Sequence, residues 1–516
     1  MMEEETVKFL RSAGILMHPT SLPGRCGMGD LGREAYRFVD FLADSGVGLW
    51  QLMPLGPTGF GDSPYACFSA FAGNPMLISP ELLVEEGVLS PKDIASAPPF
   101  PDNHVEYGPV IQFRKQLLAM AWEGFKSGAD AALKNAFDEF CRVQALWLDD
   151  FALFMALKEI FGLAWNSWDR DLMRRQPDAL WRAAQEHAPL VQAQKFTQYL
   201  FFKQWKALKQ YANRKGVRII GDIPIFVAYD SADVWAHPEL FHLDENRNPN
   251  VVAGVPPDYF SQTGQLWGNP LYRWDAMKRD GFRWWVARIR ANLEMVDIIR
   301  LDHFRGFEAY WEVPAGEKTA VNGRWVKAPG SEFFQTIRGT VGDVPIIAED
   351  LGVITPPVEE LRDAFEFPGM KVLQFAFGGD PSDQYLPHNF IPNCVVYSGT
   401  HDNDTALGWY WNSATDKERD FVRRYLATDG HEVHWDMIRL AFSSVAHTAI
   451  VPLQDVLGLG SEGRMNFPGK PDGNWSWRFL PGKLNGEIRN RLSELIWIYG
   501  RRYEAADRKK KESEKK

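Results

Sequence analysis

The segment that decides the fold is VDIIRLDHF, residues 296–304. It is a short apolar run that ends in polar residues, and it follows a stretch in which apolar side chains recur every three or four positions. That stretch contains Phe282, Trp285, Ile289, Leu293 and Val296. The spacing predicts an amphipathic helix that leads directly into a buried strand. A helix that alternates with a strand in this way is the repeating unit of a parallel α/β sheet.

Further segments of the same kind lie along the chain. The predicted strands begin near Gly14 (GILMHPTSL), Val47 (VGLWQLMPL), Val217 (VRIIGDIPIFV), Val296, Pro345 (PIIAEDL), Met370 (MKVLQFAF), Cys394 (CVVYSGTHD) and Thr448 (TAIVPLQDV). Eight is the number of strands in a closed parallel barrel. Before the second strand, Phe38, Phe41 and Leu42 form an apolar helix face, and Gly46 is suited to end that helix. The predicted fold class is therefore α/β, a (β/α)8 TIM barrel.

The chain has 516 residues, and its excess length is predicted to lie in insertions within the βα loops. Residues 74–214 have helical periodicity and no convincing strand, which indicates a large helical insertion. Residues 228–271 follow the third strand as a second insertion, a loop region that covers the cleft. We expect one catalytic barrel over residues 1–505 and a charged, disordered tail over residues 506–516.

The composition restricts the class of partner. Lysine and arginine number 57 and aspartate and glutamate 67, which gives a formal net charge of −10. This balance disfavours a general affinity for nucleic acid or an anionic membrane and suits a neutral partner. The sequence contains no apolar run of ~18 residues and no secretory pattern at its start. The four cysteines have neither zinc-site nor disulfide-framework spacing, so we expect a cytoplasmic protein.

Polar and titratable residues are concentrated where the predicted strands end. They are His18, Asp222, Arg300, Asp302, His303, Glu349, Asp350, His401, Asp402 and Asp404. Any one of them could cap a helix or shape a turn. Since the carboxyl ends of barrel strands form one concave face, ten such residues at the ends of five strands indicate a shared active site.

Three of these acids suit the cleavage of a glycosidic bond. Arg300 and Asp302 lie two positions apart and so share one face of a strand, where the guanidinium keeps the carboxylate ionised as a nucleophile requires. Glu349 ends an otherwise apolar strand, where burial raises the pKa of a carboxyl towards that of a proton donor. With Asp402 as a third acid, the pattern indicates glycoside chemistry.

Two other interpretations remain open from these residues alone. A divalent metal could bind the His and Asp residues of LDH and HDND, but no HExxH, EF-hand or Cys/His motif is present, so we expect neither a metal nor a cofactor. A catalytically silent glucan-binding protein is disfavoured by the complete set of acids.

Two loops supply aromatic faces that match the apolar faces of sugar rings. The segment GFGDSPYACFSAFAGNP follows the second strand and carries Tyr65. The segment AGVPPDYFSQTGQLWGNP follows the third strand and carries Asp258, Tyr259, Gln265 and Trp267. Both loops are expected at the mouth of the barrel.

Over nearly its whole length the sequence resembles the 4-α-glucanotransferases, the amylomaltase or disproportionating-enzyme family of the α-amylase clan. The matching stretches are DSPYACFSAFAGNP, GDIPIFV, VVAGVPPDYFSQTGQLWGNPLYRW, IIRLDHFRG, IIAEDLG, SGTHDNDT and RMNFPG. Members of this family lack the β-sandwich domain that follows the barrel in α-amylases, so the resemblance implies that no C-terminal β-sandwich is present.

The resemblance also implies a role for each acid: Asp302 as nucleophile, Glu349 as general acid/base and Asp402 as stabiliser of the transition state. The residues expected to contact substrate are Tyr65, Asp222, Asp258, Tyr259, Gln265, Trp267, Arg300, His303, His401 and Asn466.

The implied reaction is transfer of an α-1,4-glucan segment to the 4-hydroxyl of an acceptor glucan or glucose by a retaining double displacement. The alternative is an α-amylase-like retaining hydrolase, in which water is the acceptor. We expect an α-1,4-glucan donor, a glucose or glucan acceptor, no nucleic acid or membrane partner, and a monomer or weak homo-oligomer.

Overall fold

The structure is a computed structural model that describes residues 9–257, 261–470 and 472–502. Its strands are β1 (Ser12–Leu16), β2 (Leu49–Gln51), β3 (Arg218–Pro224), β4 (Val251–Val255), β5 (Gln265–Pro270), β6 (Ile298–Asp302), β7 (Ala309–Pro314), β8 (Arg324–Lys327), β9 (Ile346–Ala348), β10 (Gly369–Val372), β11 (Cys394–Tyr397) and β12 (Thr448–Pro452).

The α-helices are α1 (Arg33–Ser45), α2 (Pro80–Glu85), α3 (Pro91–Ala95), α4 (Tyr107–Gly128), α5 (Ala131–Val143), α6 (Ala145–Phe161), α7 (Arg170–Met173), α8 (Pro177–Glu186), α9 (Ala188–Arg214), α10 (Ala232–Ala236), α11 (Trp274–Arg279), α12 (Arg283–Met295), α13 (Gly330–Val341), α14 (Pro356–Ala364), α15 (Ala406–Gly408), α16 (Asp416–Leu426), α17 (Val433–Ser443), α18 (Leu453–Val456) and α19 (Gly486–Ile498).

The predicted strands form one parallel sheet. Within the described residues it has eight strands in the order β10-β11-β12-β1-β2-β3-β6-β9, and each pairs in parallel with its neighbours. The two ends approach one another, since the amide of Ala348 donates to the carbonyl of Pro368 at 3.0 Å. The prediction of a TIM barrel is confirmed.

The helix α1 shows how local sequence sets the boundaries of these units. Its apolar residues Phe38, Phe41 and Leu42 are buried, as their spacing predicts. Gly46 then adopts a left-handed conformation with φ 79°, and its amide donates to the carbonyls of Ala43 and Leu42. This C-terminal cap turns the chain into β2.

The segment between β2 and β3 is mainly helical and contains α2 to α9. Aromatic rings fill its interior, with the ring centroids of Phe125 and Phe196 4.4 Å apart. The long helix α9 joins this interior to the barrel, because its Trp205 donates from Nε1 to the carbonyl of Met295 at 2.9 Å.

A second, smaller sheet lies beside the barrel mouth and was not predicted. Its antiparallel strands follow the order β5-β4-β7-β8, and we call it the accessory sheet. The strands β4 and β5 belong to the segment expected as a loop region, and β7 and β8 follow β6. The predicted contacts Asp258 and Tyr259, and the predicted tail at 506–516, lie outside the described residues.

Within the ranges that the structure describes, no helix combines the length and the apolar character needed to cross a membrane.

Candidate active site at the barrel mouth

A buried arginine connects two acids on neighbouring strands. Arg300 on β6 donates from Nη1 to both oxygens of Asp222 on β3, at 2.7 and 2.6 Å, and to Oδ1 of Asp302 at 2.9 Å. Burial opposes the charge of Arg300, but Asp222 and Asp302 outweigh it and raise the pKa of the guanidinium above its ordinary value. The guanidinium therefore stabilises negative charge on Asp302, whose side chain stays 28% exposed to the cleft.

An aromatic stack forms one wall beside this pair. The hydroxyl of Tyr65 donates to Asp222 at 2.7 Å, and its ring stacks on the ring of His401 at 5.2 Å and 13°. Trp475 packs against both rings, at 5.7 Å from Tyr65 and 5.9 Å from His401. Trp475 was not predicted from the sequence. It has a left-handed φ of 62° and lies far along the chain from its partners.

Glu349 follows β9 and is held by backbone amides. Its Oε2 accepts from the amide of His303 at 2.8 Å, and its Oε1 accepts from the amide of Leu351 at 2.9 Å. Burial and the neighbouring charge of Asp302 raise the pKa of Glu349 to about 8. A carboxyl in this position keeps a proton at neutral pH and can donate it to a leaving oxygen.

His303 directly follows Asp302 and adopts a left-handed φ of 54°. Burial lowers the pKa of its imidazole to about 4, so the ring is neutral near pH 7. Its Nε2 has no hydrogen-bond partner within residues 9–257, 261–470 and 472–502, which leaves it available to a ligand. The ring of Trp267, from the accessory sheet, stands edge-on to His303 at 4.8 Å.

Asp402 is the most exposed of the three acids, with 48% of its side chain accessible. Its Oδ1 accepts from Nδ2 of Asn466 at 2.6 Å and lies 3.5 Å from Nε2 of His401. Arg464, which the sequence analysis did not select, donates to the backbone carbonyl of Asp402 at 2.9 Å. The structure thus places Asn466 against an acid of the site.

Other residues in the strand-end set have local partners. Asp350 accepts from Arg362 at 2.6 Å and from the amide of Met370 at 2.7 Å. Asp404 accepts from the hydroxyl of Ser461 at 2.6 Å. These bonds give both acids a structural role in holding their loops.

The last two predicted residues, Gln265 and His18, form hydrogen bonds with residues close to them in the sequence. The Oε1 of Gln265 accepts from Nε1 of Trp267 at 3.1 Å. Both residues lie in the exposed part of β5. His18 bonds through Nδ1 to the hydroxyl of Thr20 at 2.8 Å and caps the short turn that follows β1.

The described side chains offer neither a metal site nor a reactive thiol. In the part of the chain that the structure describes, no group of three or more His, Cys, Asp or Glu side chains is arranged to hold a metal ion. The four cysteines are free thiols. Burial raises the pKa of Cys67, which lies two residues after Tyr65 in the same loop, to about 12. That thiol stays protonated and unreactive at neutral pH.

Comparison with known proteins shows which family the chain belongs to. A sequence model of the family described as 4-alpha-glucanotransferase matches residues 17–483. The chain belongs to the 4-alpha-glucanotransferase family. Relatives with that name include one from Synechocystis sp., 53% identical over 95% of this chain and 98% of its own length, and one from Thermus thermophilus, 55% identical over 94% and 98%.

Solved structures give the same result. The amylomaltase from Streptococcus agalactiae, determined in complex with acarbose, is 42% identical, covers 95% of this chain and 99% of its own, and superposes with a TM-score of 0.92. The amylomaltase from Corynebacterium glutamicum is 18% identical with a TM-score of 0.78 and shares the fold. The predicted membership of the 4-alpha-glucanotransferase family, and with it a glucan-transferring enzyme, is confirmed.

Proposed function

We propose that this 4-alpha-glucanotransferase moves a segment of an α-1,4-glucan to the 4-hydroxyl of another glucan or of glucose through a covalent glycosyl-enzyme intermediate. The observation that carries the proposal is the arrangement of two unlike carboxyl groups. Glu349 has a raised pKa of about 8, whereas the carboxylate of Asp302 receives a 2.9 Å bond from a buried guanidinium. A retaining displacement needs one protonated acid and one anionic nucleophile.

In the first step, Asp302 attacks the anomeric carbon of the donor while Glu349 transfers its proton to the glycosidic oxygen. The bond between the anomeric carbon and that oxygen breaks, and an ester bond to Asp302 forms. The reducing-end fragment leaves as a neutral alcohol, and Glu349 is left as a carboxylate.

In the second step, Glu349 accepts the proton of an acceptor hydroxyl as that oxygen attacks the anomeric carbon. The ester bond to Asp302 breaks, and its carboxylate is restored. Two inversions at one carbon give net retention of the α configuration. In this proposal the exposed carboxylate of Asp402 stabilises the positive charge that develops on the sugar ring.

The remaining side chains bind the donor sugar in this proposal. Tyr65, Asp222 and Arg300 form the wall beside the nucleophile, and the unpartnered Nε2 of His303 donates or accepts at a sugar hydroxyl. Further contacts are assigned to Asp258, Tyr259, Gln265, Trp267, His401 and Asn466.

The choice between a sugar acceptor and water depends on what covers the cleft. Trp267, 39% exposed and edge-on to His303, offers an apolar face on which an acceptor ring can stack. An acceptor held there excludes water and brings its hydroxyl close to the ester carbon. We further propose a cytoplasmic enzyme that works as a monomer or weak homo-oligomer.

Incubation with maltotriose tests the function. Transfer yields glucose together with a series of longer maltooligosaccharides, whereas hydrolysis yields shorter sugars alone. The Asp302→Asn variant should yield neither series, which assigns the products to this enzyme. A product mixture without any sugar longer than maltotriose would overturn the proposal in favour of the hydrolase.

A further inference from the structure

Arg305 is a buried cation close to the acids that the mechanism does not use. It lies in the turn Phe304–Phe307 that follows β6, and it is 7% exposed. Its Nη1 donates to the carbonyl of Val353 at 2.8 Å and approaches the hydroxyl of Thr355 at 3.5 Å. Among the described residues it forms no ion pair within 4.0 Å.

The accessory sheet covers this guanidinium. The Cζ of Arg305 lies 3.8 Å from the centre of the Trp325 ring on β8, and Trp311 on β7 packs edge-on against Trp325 at 5.2 Å. Burial lowers the pKa of Arg305 below its ordinary value. Stacking on an aromatic face is one arrangement that offsets the cost of burying a guanidinium without a counter-ion.

The carbonyl that Arg305 binds belongs to the loop that follows Glu349. The amide of Leu351 in that loop holds one carboxyl oxygen of Glu349, and the amide of His303, two residues before Arg305, holds the other. The backbone carbonyl of Glu349 also accepts from the amide of Phe304 at 3.0 Å. Arg305 therefore joins the two segments that grip the Glu349 carboxyl.

We infer that Arg305, clamped by Trp325, is a positioning residue that fixes the Glu349 carboxyl relative to the β6 strand end, which makes the accessory sheet part of the catalytic framework. The inference rests on the proposed role of Glu349 as general acid/base. A carboxyl displaced by a fraction of an ångström from the glycosidic oxygen transfers its proton more slowly, while the nucleophile on β6 is unaffected.

The test compares two donors that differ in their need for acid. Maltotriose requires a proton on its leaving oxygen, whereas fluoride leaves α-maltosyl fluoride without one, so the first-turnover burst of fluoride reports the attack by Asp302. We expect Arg305→Lys and Trp325→Ala to lower kcat for maltotriose about tenfold while the fluoride burst slows less than about threefold. Trp325→Phe retains a stacking ring and should remain close to the wild type.

Arg501→Lys is the matched control. Arg501 is also a buried arginine that donates to backbone carbonyls, including that of Ser12 at 3.1 Å, but it lies where β1 begins, at the opposite end of the barrel. This variant should lower Tm and leave the ratio of the two rates unchanged.

The outcomes distinguish the role of Arg305 from the role of Glu349. If Arg305→Lys and Trp325→Ala slow both donors equally, or behave as Arg501→Lys does, Arg305 has only a structural role and the inference is overturned. If a Glu349→Gln variant itself shows no selective loss with maltotriose, the role of Glu349 fails and the inference falls with it. A selective loss in Glu349→Gln, Arg305→Lys and Trp325→Ala supports both.

Discussion

Among single residues, the proposed general acid Glu349 is expected to set the pH range of the enzyme. Burial and the charge of Asp302 raise the pKa of this carboxyl from 4.5 to about 8. The group is protonated, and competent as an acid, below that value, and it loses the proton as the pH rises through it. We expect kcat/KM for maltotriose to fall above pH ~8, tending to tenfold per pH unit, in a steady-state pH profile. A profile that stays flat to pH ~10 would contradict this role.

The hydroxyl of Tyr65 supports the buried charges below the cleft. It donates to Asp222 at 2.7 Å, and Asp222 in turn accepts from Arg300. The Tyr65→Phe variant leaves a buried carboxylate short of one donor, so kcat/KM should fall by about ten- to a hundredfold. Tyr211→Phe is its control, because the Tyr211 hydroxyl also donates to a carboxylate, Asp40, at 2.7 Å, but does so on α9. Equal activity losses in both variants would rule out a specific role for Tyr65.

The three candidate catalytic acids could be selected from the sequence because the ends of buried strands can be recognised there. Asp302, Glu349 and Asp402 each follow a short apolar run, and the strand period places Arg300 beside Asp302. Trp475 could not be predicted, since its contact with His401 depends on how a loop after β12 folds back over the barrel. A long-range contact of this kind leaves no periodic pattern in the sequence.

At the scale of elements, the cap of α1 gives a direct test of local backbone energetics. Gly46 has φ 79°, and an added Cβ would meet no atom closer than 3.5 Å, so strain is the dominant cost of a side chain there. Gly46→Ala should destabilise the protein by about 1 kcal/mol in urea unfolding. Gly108→Ala, in the open first turn of α4, should be neutral or stabilising. Equal effects of the two substitutions would contradict this account of the cap.

The strands of the barrel could be located from the sequence, whereas β5 and β8 of the accessory sheet could not. The barrel strands are buried on both faces and read as continuous apolar runs, so all of them could be located. The strand β8, RWVK, is largely exposed, and β5, QLWGNP, is exposed over most of its length. Among the described residues both are edge strands that pair only with the strand before them, and because they stay exposed to solvent, neither has an apolar run or a clean alternation to indicate a strand.

At the scale of the whole molecule, the parallel barrel explains why acids distant in sequence meet. Asp222 and Arg300 stand in register across β3 and β6, and the amide of Glu349 donates to the carbonyl of Leu301. Every barrel strand presents its carboxyl end to the same mouth, so strand-end residues taken in chain order are neighbours in space. The sequence indicates only that the pKa of Glu349 is raised. The value of about 8, the distances in the site and the contact of Arg305 with Trp325 depend on the packing of the folded chain and required the structure.

The proposed mechanism requires a covalent bond between Asp302 and the donor sugar, and trapping that intermediate is the decisive experiment. An α-glucosyl fluoride with a second fluorine at C5 forms the ester quickly and releases it slowly. Mass spectrometry of the intact protein should show the addition of one glycosyl unit, located by digestion to the peptide that contains Asp302, and added maltose should discharge it. A label on the peptide that contains Glu349 or Asp402, or turnover of the reagent without any label, would rule out Asp302 as the nucleophile.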